Sequence, residues 1–427
     1  MITYKRVIEH INYFSFLVLL CAMPFPWQFI RFFGLVWAVT WLLELRFIDR
    51  ANLQLTKERV FVAIGFGVWF LWSILSVLWA ENKSLSWTFI QRDYYILLIP
   101  LVMLFGVNDL YDWKKCIKTL VIACAISIGV YLFAHYWLLN IARAYDKHVT
   151  SRVDIDWLHL NDFTRDMKHR LHYTAWLCLA IIGINSLFVS CRTNLKETIW
   201  YVLAIVLFLA GIYWTGSRAA IVNLAFIGIF AALWEWTRRQ QRPAWQKAIA
   251  GGLIAILLAG GAVALFKLHP RNHGVSVQEF LTLQEGSQPT FEPRVAIWNA
   301  ALETPEDYSL YGVGVGNSYD YLQQKYIAHG WEAYYTYRYS THSQLLATWI
   351  ELGLAAMVLW ILFWLCMPFF FRGEARYWVS CICAICLVNM ATDLFLGGVE
   401  GIVFVIVAFV LLAVLTRPLP PVMRPQP

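Results

Sequence analysis

Charge is what this sequence has least of. Asp, Glu, Lys and Arg together make up 14% of its 427 residues, against about a quarter in soluble globular chains, so a water-facing surface could not be covered. Walker-type glycine loops are missing, and so is any internal repeat, which removes the sequence signals for nucleotide hydrolysis and for a solenoid. Cysteines are absent from the two long connecting segments near 140–171 and 267–342, so a disulfide framework is excluded there. Cys381, Cys383 and Cys386 look like a metal cluster. They fall within an apolar helical run, lack a histidine partner and do not share one face, so they read as small core residues. What is abundant is apolar and aromatic surface, 60% and 17% of the residues. An integral membrane protein built of helices is the class that remains.

A helix that crosses the hydrocarbon core needs about 20 mostly apolar residues. Twelve segments meet or approach that length, near 8–24, 28–45, 60–79, 88–106, 116–139, 172–190, 197–214, 219–236, 247–266, 343–366, 376–395 and 399–416. Pro24 and Pro26 close the first pair into a hairpin, as Gly397 and Gly398 do for the last pair. No small-residue cleavage site follows the first run, which reads as a retained span. Lys and Arg in the short loops set the orientation. With the N-terminus cytoplasmic, 19 of the 34 basic residues fall on the cytoplasmic side, among them Lys5, Arg50, Lys115, Arg239, Arg372, Arg376 and Arg417. The opposing short loops hold Lys83, with Arg31, Arg92 and Arg218 at helix ends. Both termini are therefore expected inside, and the net charge of +7 reflects topology rather than a nucleic-acid surface. The expected organisation is nine spans over 1–266, with an external loop at about 140–171; a large external loop over 267–342; three spans over 343–416; and a cytoplasmic tail, 417–427.

The external loop of about 75 residues is long enough to be functional. Gly312, Gly314 and Gly316 can form a backbone nest for an anion or a plain turn. Trp331, Tyr334, Tyr335, Tyr337 and Tyr339 cluster before the tenth span, as interface belts and sugar-stacking surfaces both do. His342 puts an imidazole at the mouth of that span. Three arginines share its side: Arg92 at the start of the fourth span, Arg218 in Thr-Gly-Ser-Arg-Ala-Ala, and Arg294 in Phe-Glu-Pro-Arg. Pro293 suits a first helical position, and Val295, Trp298 and Leu302 repeat at helical spacing after it. An arginine at a helix end can snorkel to water. Three of them with a histidine on one side instead suggest a site for a phosphorylated lipid, because the guanidinium fork binds phosphate oxygens bidentately and keeps its charge. Asp154 and Asp156 have the spacing of a divalent-metal pair, but no other acidic cluster stands nearby to complete a shell of about six oxygens. They read as a solvated loop face.

Together these residues resemble the O-antigen ligase family of bacterial inner membranes, within the superfamily that also holds O-antigen polymerases and O-linked oligosaccharyltransferases. The matching features are Thr-Gly-Ser-Arg-Ala at 215–219, Pro-Arg-x-x-x-Trp at 293–298, Gly-Val-Gly-Val-Gly at 312–316, and His-Ser-x-x-Leu with Glu-Leu-Gly at 342–353. The resemblance implies an all-α membrane fold of about twelve spans with a large helical periplasmic loop before the tenth, a multi-span GT-C-like glycosyltransferase architecture. It implies inverting transfer of a glycan from undecaprenyl diphosphate to lipid A–core oligosaccharide at the periplasmic face, without a metal or other cofactor. His342 would be the base, and Arg218 and Arg294 would bind the diphosphate. Arg92, Asp393, Gly314, Gly316 and Tyr339 are further candidates, either for substrate binding or for structure. A polymerase or protein-glycosylating relative would use the same donor. A lipid-linked glycan flippase, the alternative from another class, would place its charges along a path at the bilayer midplane rather than at one mouth.

Overall fold

The computed structural model describes residues 2–145, 169–190, 194–238, 293–308 and 310–417, and every regular element among them is helical. Helices α1 (Ile2–Ala22), α2 (Trp27–Leu43) and α3 (Lys57–Ser76) come first. Helix α4 (Lys83–Asp93) then runs through a short 3-10 turn into α5 (Leu98–Phe105), followed by α6 (Trp113–Tyr145). After these come α7 (Arg170–Ser190), α8 (Leu195–Thr215) and α9 (Arg218–Arg238). The external segment contributes α10 (Pro293–Ala301), α11 (Ser318–Ala328) and α12 (Glu332–Thr336). The chain finishes with α13 (Gln344–Leu352), α14 (Leu354–Phe370), α15 (Gly373–Thr392) and α16 (Val399–Leu415).

Seven of these helical runs are long and apolar enough to cross a membrane, and α2, α14 and α16 are shorter apolar helices. The expected ninth span, 247–266, lies outside the described residues, as do most of the 140–171 loop and Asp154 and Asp156. One expected span is organised differently. The tenth, read as continuous over 343–366, is broken at Gly353, whose φ of +89° ends α13 before α14 begins. Nine residues rise only about 14 Å, too little to cross the hydrocarbon. Leu346, Trp349 and Ile350 of α13 pack with Ile297, Tyr308, Leu322 and Tyr326 of the external segment. Helix α13 thus belongs to the core of that segment, and the apolar run of α14 follows it.

The two ends of the bundle differ in chemistry. At one end the buried Arg59 donates to the Met103 carbonyl at 2.8 Å and to the Thr416 hydroxyl at 3.1 Å, at the C-terminal ends of α5 and α16. A guanidinium there meets the negative ends of two helix dipoles, which offsets its desolvation. Arg417 donates to the Asn108 carbonyl at 2.6 Å, and Asn108 donates to Glu44 at 2.6 Å. At the other end the external segment is wedged between the α3–α4 turn and α13. Val315 N–H donates to the Ser76 hydroxyl, Ser86 donates to the Val315 carbonyl, and the Asn317 amide donates to Ser86. Val313 and Gly314 N–H groups donate to the carbonyls of Ile350 and Glu351.

Gly312 lies in the tightest part of this wedge. Its φ is +73°, and a Cβ there would sit 2.2 Å from the Glu351 carbonyl carbon. Gly312→Ala is expected to destabilise the protein by at least the ~1–3 kcal/mol of a strained backbone position, read as a lower melting temperature in detergent. Gly67→Ala, in a helix with open space around it, is expected to be neutral or slightly stabilising, since alanine is the better helix former. Equal melting temperatures for the two variants would refute the wedge as a stabilising contact.

Candidate functional site

The candidate site lies at the end of the bundle where the external segment docks. Its centre is Asp393, the first residue beyond α15, placed there because the helix ends at Thr392. The Asp393 carbonyl accepts from Gln344 N–H at 3.0 Å, which ties the start of α13 to the α15–α16 turn. Its carboxylate stands between two imidazoles: His342 Nδ1 is 3.7 Å from Oδ1, and His169 Nε2 is 3.7 Å from Oδ2. These are ion-pair distances rather than hydrogen bonds. Leu394 N–H donates to Oδ1 at 2.8 Å. Burial works to raise the Asp393 carboxyl. His342, His169 and the Leu394 amide outweigh it and hold the group down at about 2.

His342 occupies the left-handed region with φ +46°, a conformation uncommon outside glycine that costs of order 1–3 kcal/mol. The surrounding contacts hold it there. The Thr341 carbonyl accepts from Trp298 Nε1 of α10 at 2.8 Å, and the Thr341 hydroxyl donates to the Ser343 carbonyl at 2.9 Å. Ser343 caps α13 by accepting from Leu346 N–H. The Tyr339 ring lies 6.1 Å from the imidazole and edge-on to Tyr334. His342 keeps 30% of its side-chain surface exposed, enough to meet a substrate.

The sequence-derived arginines lie on three different elements. Arg92 stacks on Phe89 and forms a 2.8 Å ion pair with Asp93. It lines a small cavity with Tyr319, Gln344, Thr348 and Glu351. Gln344 Oε1 and Thr348 Oγ1 accept no hydrogen bond among the described residues, so the cavity keeps unused polar capacity. Arg294 is one helical turn before Trp298 on α10, on the same face. The Trp298–Thr341 bond ties the helix that carries Arg294 to the residue before His342. Arg218 starts α9. Asn223 of α9 donates to Asn389 of α15 at 3.3 Å, five residues after Arg218 and four before Asp393. At about 1.5 Å per residue, Arg218 and Asp393 lie at nearly the same depth on neighbouring helices.

Gly314 and Gly316 both meet Glu351: Gly314 N–H donates to its backbone carbonyl, and burial pushes its side-chain carboxyl up to about 7. The Glu351 carboxylate accepts from the Ser318 hydroxyl and faces the Gly316 N–H, so the nest secures α13 to the external segment. His169 and His172 were not singled out from the sequence. The signal was two histidines three apart in the first turn of an apolar span, His169-Arg170-Leu171-His172. His172 stacks on Phe395 and stands 3.9 Å from Glu400, extending the polar cluster along α7 and α16. Among the described residues no group of His, Cys, Asp and Glu is arranged to hold a metal ion.

A helical bundle with membrane-spanning segments, carrying a histidine–carboxylate centre under an external segment at one end, defines the class of this protein: a multi-span membrane protein with a polar site at its mouth. Residues 203–361 match the family model described as O-antigen ligase, and over that stretch, which contains Arg218, Arg294 and His342, the chain carries the O-antigen ligase family pattern. No curated protein matches the chain. Asp393, His169 and Arg92 lie outside the matched stretch, and the fold brings Asp393 and His169 to His342.

The Asp393 contacts have a pH signature. A carboxyl held below its ordinary 3.8 contributes stability that is complete above that value and is lost as pH falls toward about 2. The melting temperature of the wild type is expected to fall between those pH values more steeply than that of Asp393→Asn, measured in the same detergent. Parallel slopes would show that the two histidines do not hold this carboxylate.

Proposed function

We propose that this protein is an O-antigen ligase that transfers a glycan from undecaprenyl diphosphate to the lipid A–core oligosaccharide. The reaction takes place at the periplasmic face of the bacterial inner membrane, and both chain termini are cytoplasmic. The observation that carries this reading is a part-exposed imidazole, His342, held beside the Asp393 carboxylate at one mouth of the bundle, with Arg92 lining the adjoining cavity and His342, Arg218 and Arg294 inside the stretch that matches the ligase family.

His342 is the general base. With Nδ1 turned to Asp393, Nε2 is the nitrogen that takes the proton of the acceptor sugar hydroxyl as that oxygen attacks C1 of the donor glycan. Such a base typically contributes about 10²–10⁴-fold. Asp393 orients the ring and stabilises the imidazolium that forms. The C1–oxygen bond to the lipid diphosphate breaks on the opposite face, so the anomeric configuration inverts. Negative charge then accumulates on the departing diphosphate, and Arg218 and Arg294 stabilise it electrostatically, a role that needs no divalent ion. The donor bond supplies the free energy. Arg92 and the cavity beside it face the sugar side of the same site.

Reconstitution with undecaprenyl-diphosphate glycan tests this reading, offering core lipid, lipid-linked glycan or a pilin-like protein as acceptor. Glycan-bearing core lipid is the expected product with wild type. His342→Ala is expected to fold normally and to lose transfer by at least a hundredfold. Arg218→Ala and Arg294→Ala are expected to lose most of it, and a chelator is expected to change nothing. Lengthened lipid-linked glycan as the product would point instead to a polymerase, and unchanged turnover in His342→Ala would remove this residue as the base.

A further inference from the structure

A cavity far roomier than the one beside Arg92 lies outside the candidate site. It runs along α15 from Arg372, at the end of the bundle opposite Asp393, toward Leu387 and Val388, has a volume of about 850 Å³, and is bounded by α9, α14 and α15. Its walls are apolar, with Phe226, Phe230 and Trp234 from α9 facing Trp364, Phe369 and Leu387. Leu233, Leu365 and Phe369 at its edge are more than half exposed. In a membrane-spanning bundle such an edge faces hydrocarbon, so the groove is open to lipid from the side.

Its polar end is built differently from its walls. Arg372 and Arg376 both line it and both are exposed. They lie four residues apart at the start of α15, which places them on one face. Arg376 uses Nε to donate to the Phe371 carbonyl at 2.8 Å, which leaves its two terminal nitrogens to reach outward. Arg372 occupies the N-cap of α15, and no side chain caps that helix. The two guanidiniums therefore stand at the positive end of a 20-residue helix. Glu374 in the same turn and Glu235 at the end of α9 have contacts of their own and limit the net positive charge. That modest excess matches one phosphodiester rather than a polyphosphate.

The geometry points to a binding site for an anionic phospholipid in this groove, its acyl chains between α9 and α14 and its phosphate on Arg372, Arg376 and the α15 N-terminus. The occupant is a lipid because the walls open to the bilayer, and an anionic one because the polar rim presents paired guanidiniums at the positive end of α15. This site is independent of the glycan chemistry at the opposite end.

Native mass spectrometry of the delipidated full chain, with phosphatidylglycerol or phosphatidylethanolamine added back, tests it. Wild type is expected to retain phosphatidylglycerol at least tenfold more tightly than phosphatidylethanolamine. Arg372→Gln with Arg376→Gln is expected to erase that preference while leaving the phosphatidylethanolamine adduct unchanged. Ala384→Phe, which fills the wall, is expected to weaken both lipids. Should the arginine variant fail to fold, salt serves with the wild type alone. Raising ionic strength to about 1 M shortens the screening length to about 3 Å and is expected to remove the phosphatidylglycerol preference. Equal retention of the two lipids would overturn the proposal. So would a preference that survives both salt and substitution, or a groove that takes no lipid because another part of the chain fills it.

Discussion

The Glu351 carboxylate holds the external segment to the membrane-spanning bundle, and the geometry of the candidate site follows from that attachment. It accepts from the Ser318 hydroxyl and faces the Gly316 amide, while the Glu351 backbone carbonyl accepts from Gly314. A buried carboxylate without such partners would cost several kcal/mol; with them it fixes one relative placement of α11 and α13. His342 is two residues before α13 and Asp393 is bonded to its first amide. A shift of the external segment by an ångström would be passed directly to the imidazole, and a misplacement of that size is enough to cost about 10²-fold in rate.

The charges of the site are arranged so that few of them stand alone. Asp393 lies between two histidines, Arg92 is paired with Asp93, and His172 faces Glu400. In a chain with so little charge, each ionisable group near the bilayer needs a partner or a route to water. The opposite end follows the same rule with different means. Arg59 is satisfied by helix C-terminal carbonyls rather than by an acid. The Gln344 and Thr348 oxygens beside Arg92, without a hydrogen bond among the described residues, therefore stand out.

Much of the scaffold was legible in the residues. Apolar runs of about 20 residues can only be helices in lipid, because every backbone group must be satisfied internally, and helices occur at each of the expected spans that fall among the described residues. Pro293 marked the start of α10 because proline lacks the N–H that a first turn leaves unused anyway. The break at Gly353 was not legible. Leu352-Gly353-Leu354 sits in an apolar run, and a lone glycine there is compatible with an unbroken helix. What forces the break is the approach of the Leu310 carbonyl, 2.2 Å from where a Cβ would be, and that contact joins residues more than forty positions apart.

By itself, the sequence determined the membrane-spanning helical character, through apolar length and charge scarcity. The Lys and Arg of the short loops gave an expectation of sidedness, and residue type near span ends gave the candidates for phosphate and proton chemistry. Only the tertiary structure decided which of these meet. It placed Asp393 between His342 and His169, brought Gly314 and Gly316 against Glu351, and packed α13 with residues of the 293–342 segment. The physical reason is one of range. Hydropathy and helix-end preferences act within a few residues of chain, whereas the pairing of a buried carboxylate is settled by helices that pack together from distant parts of the sequence.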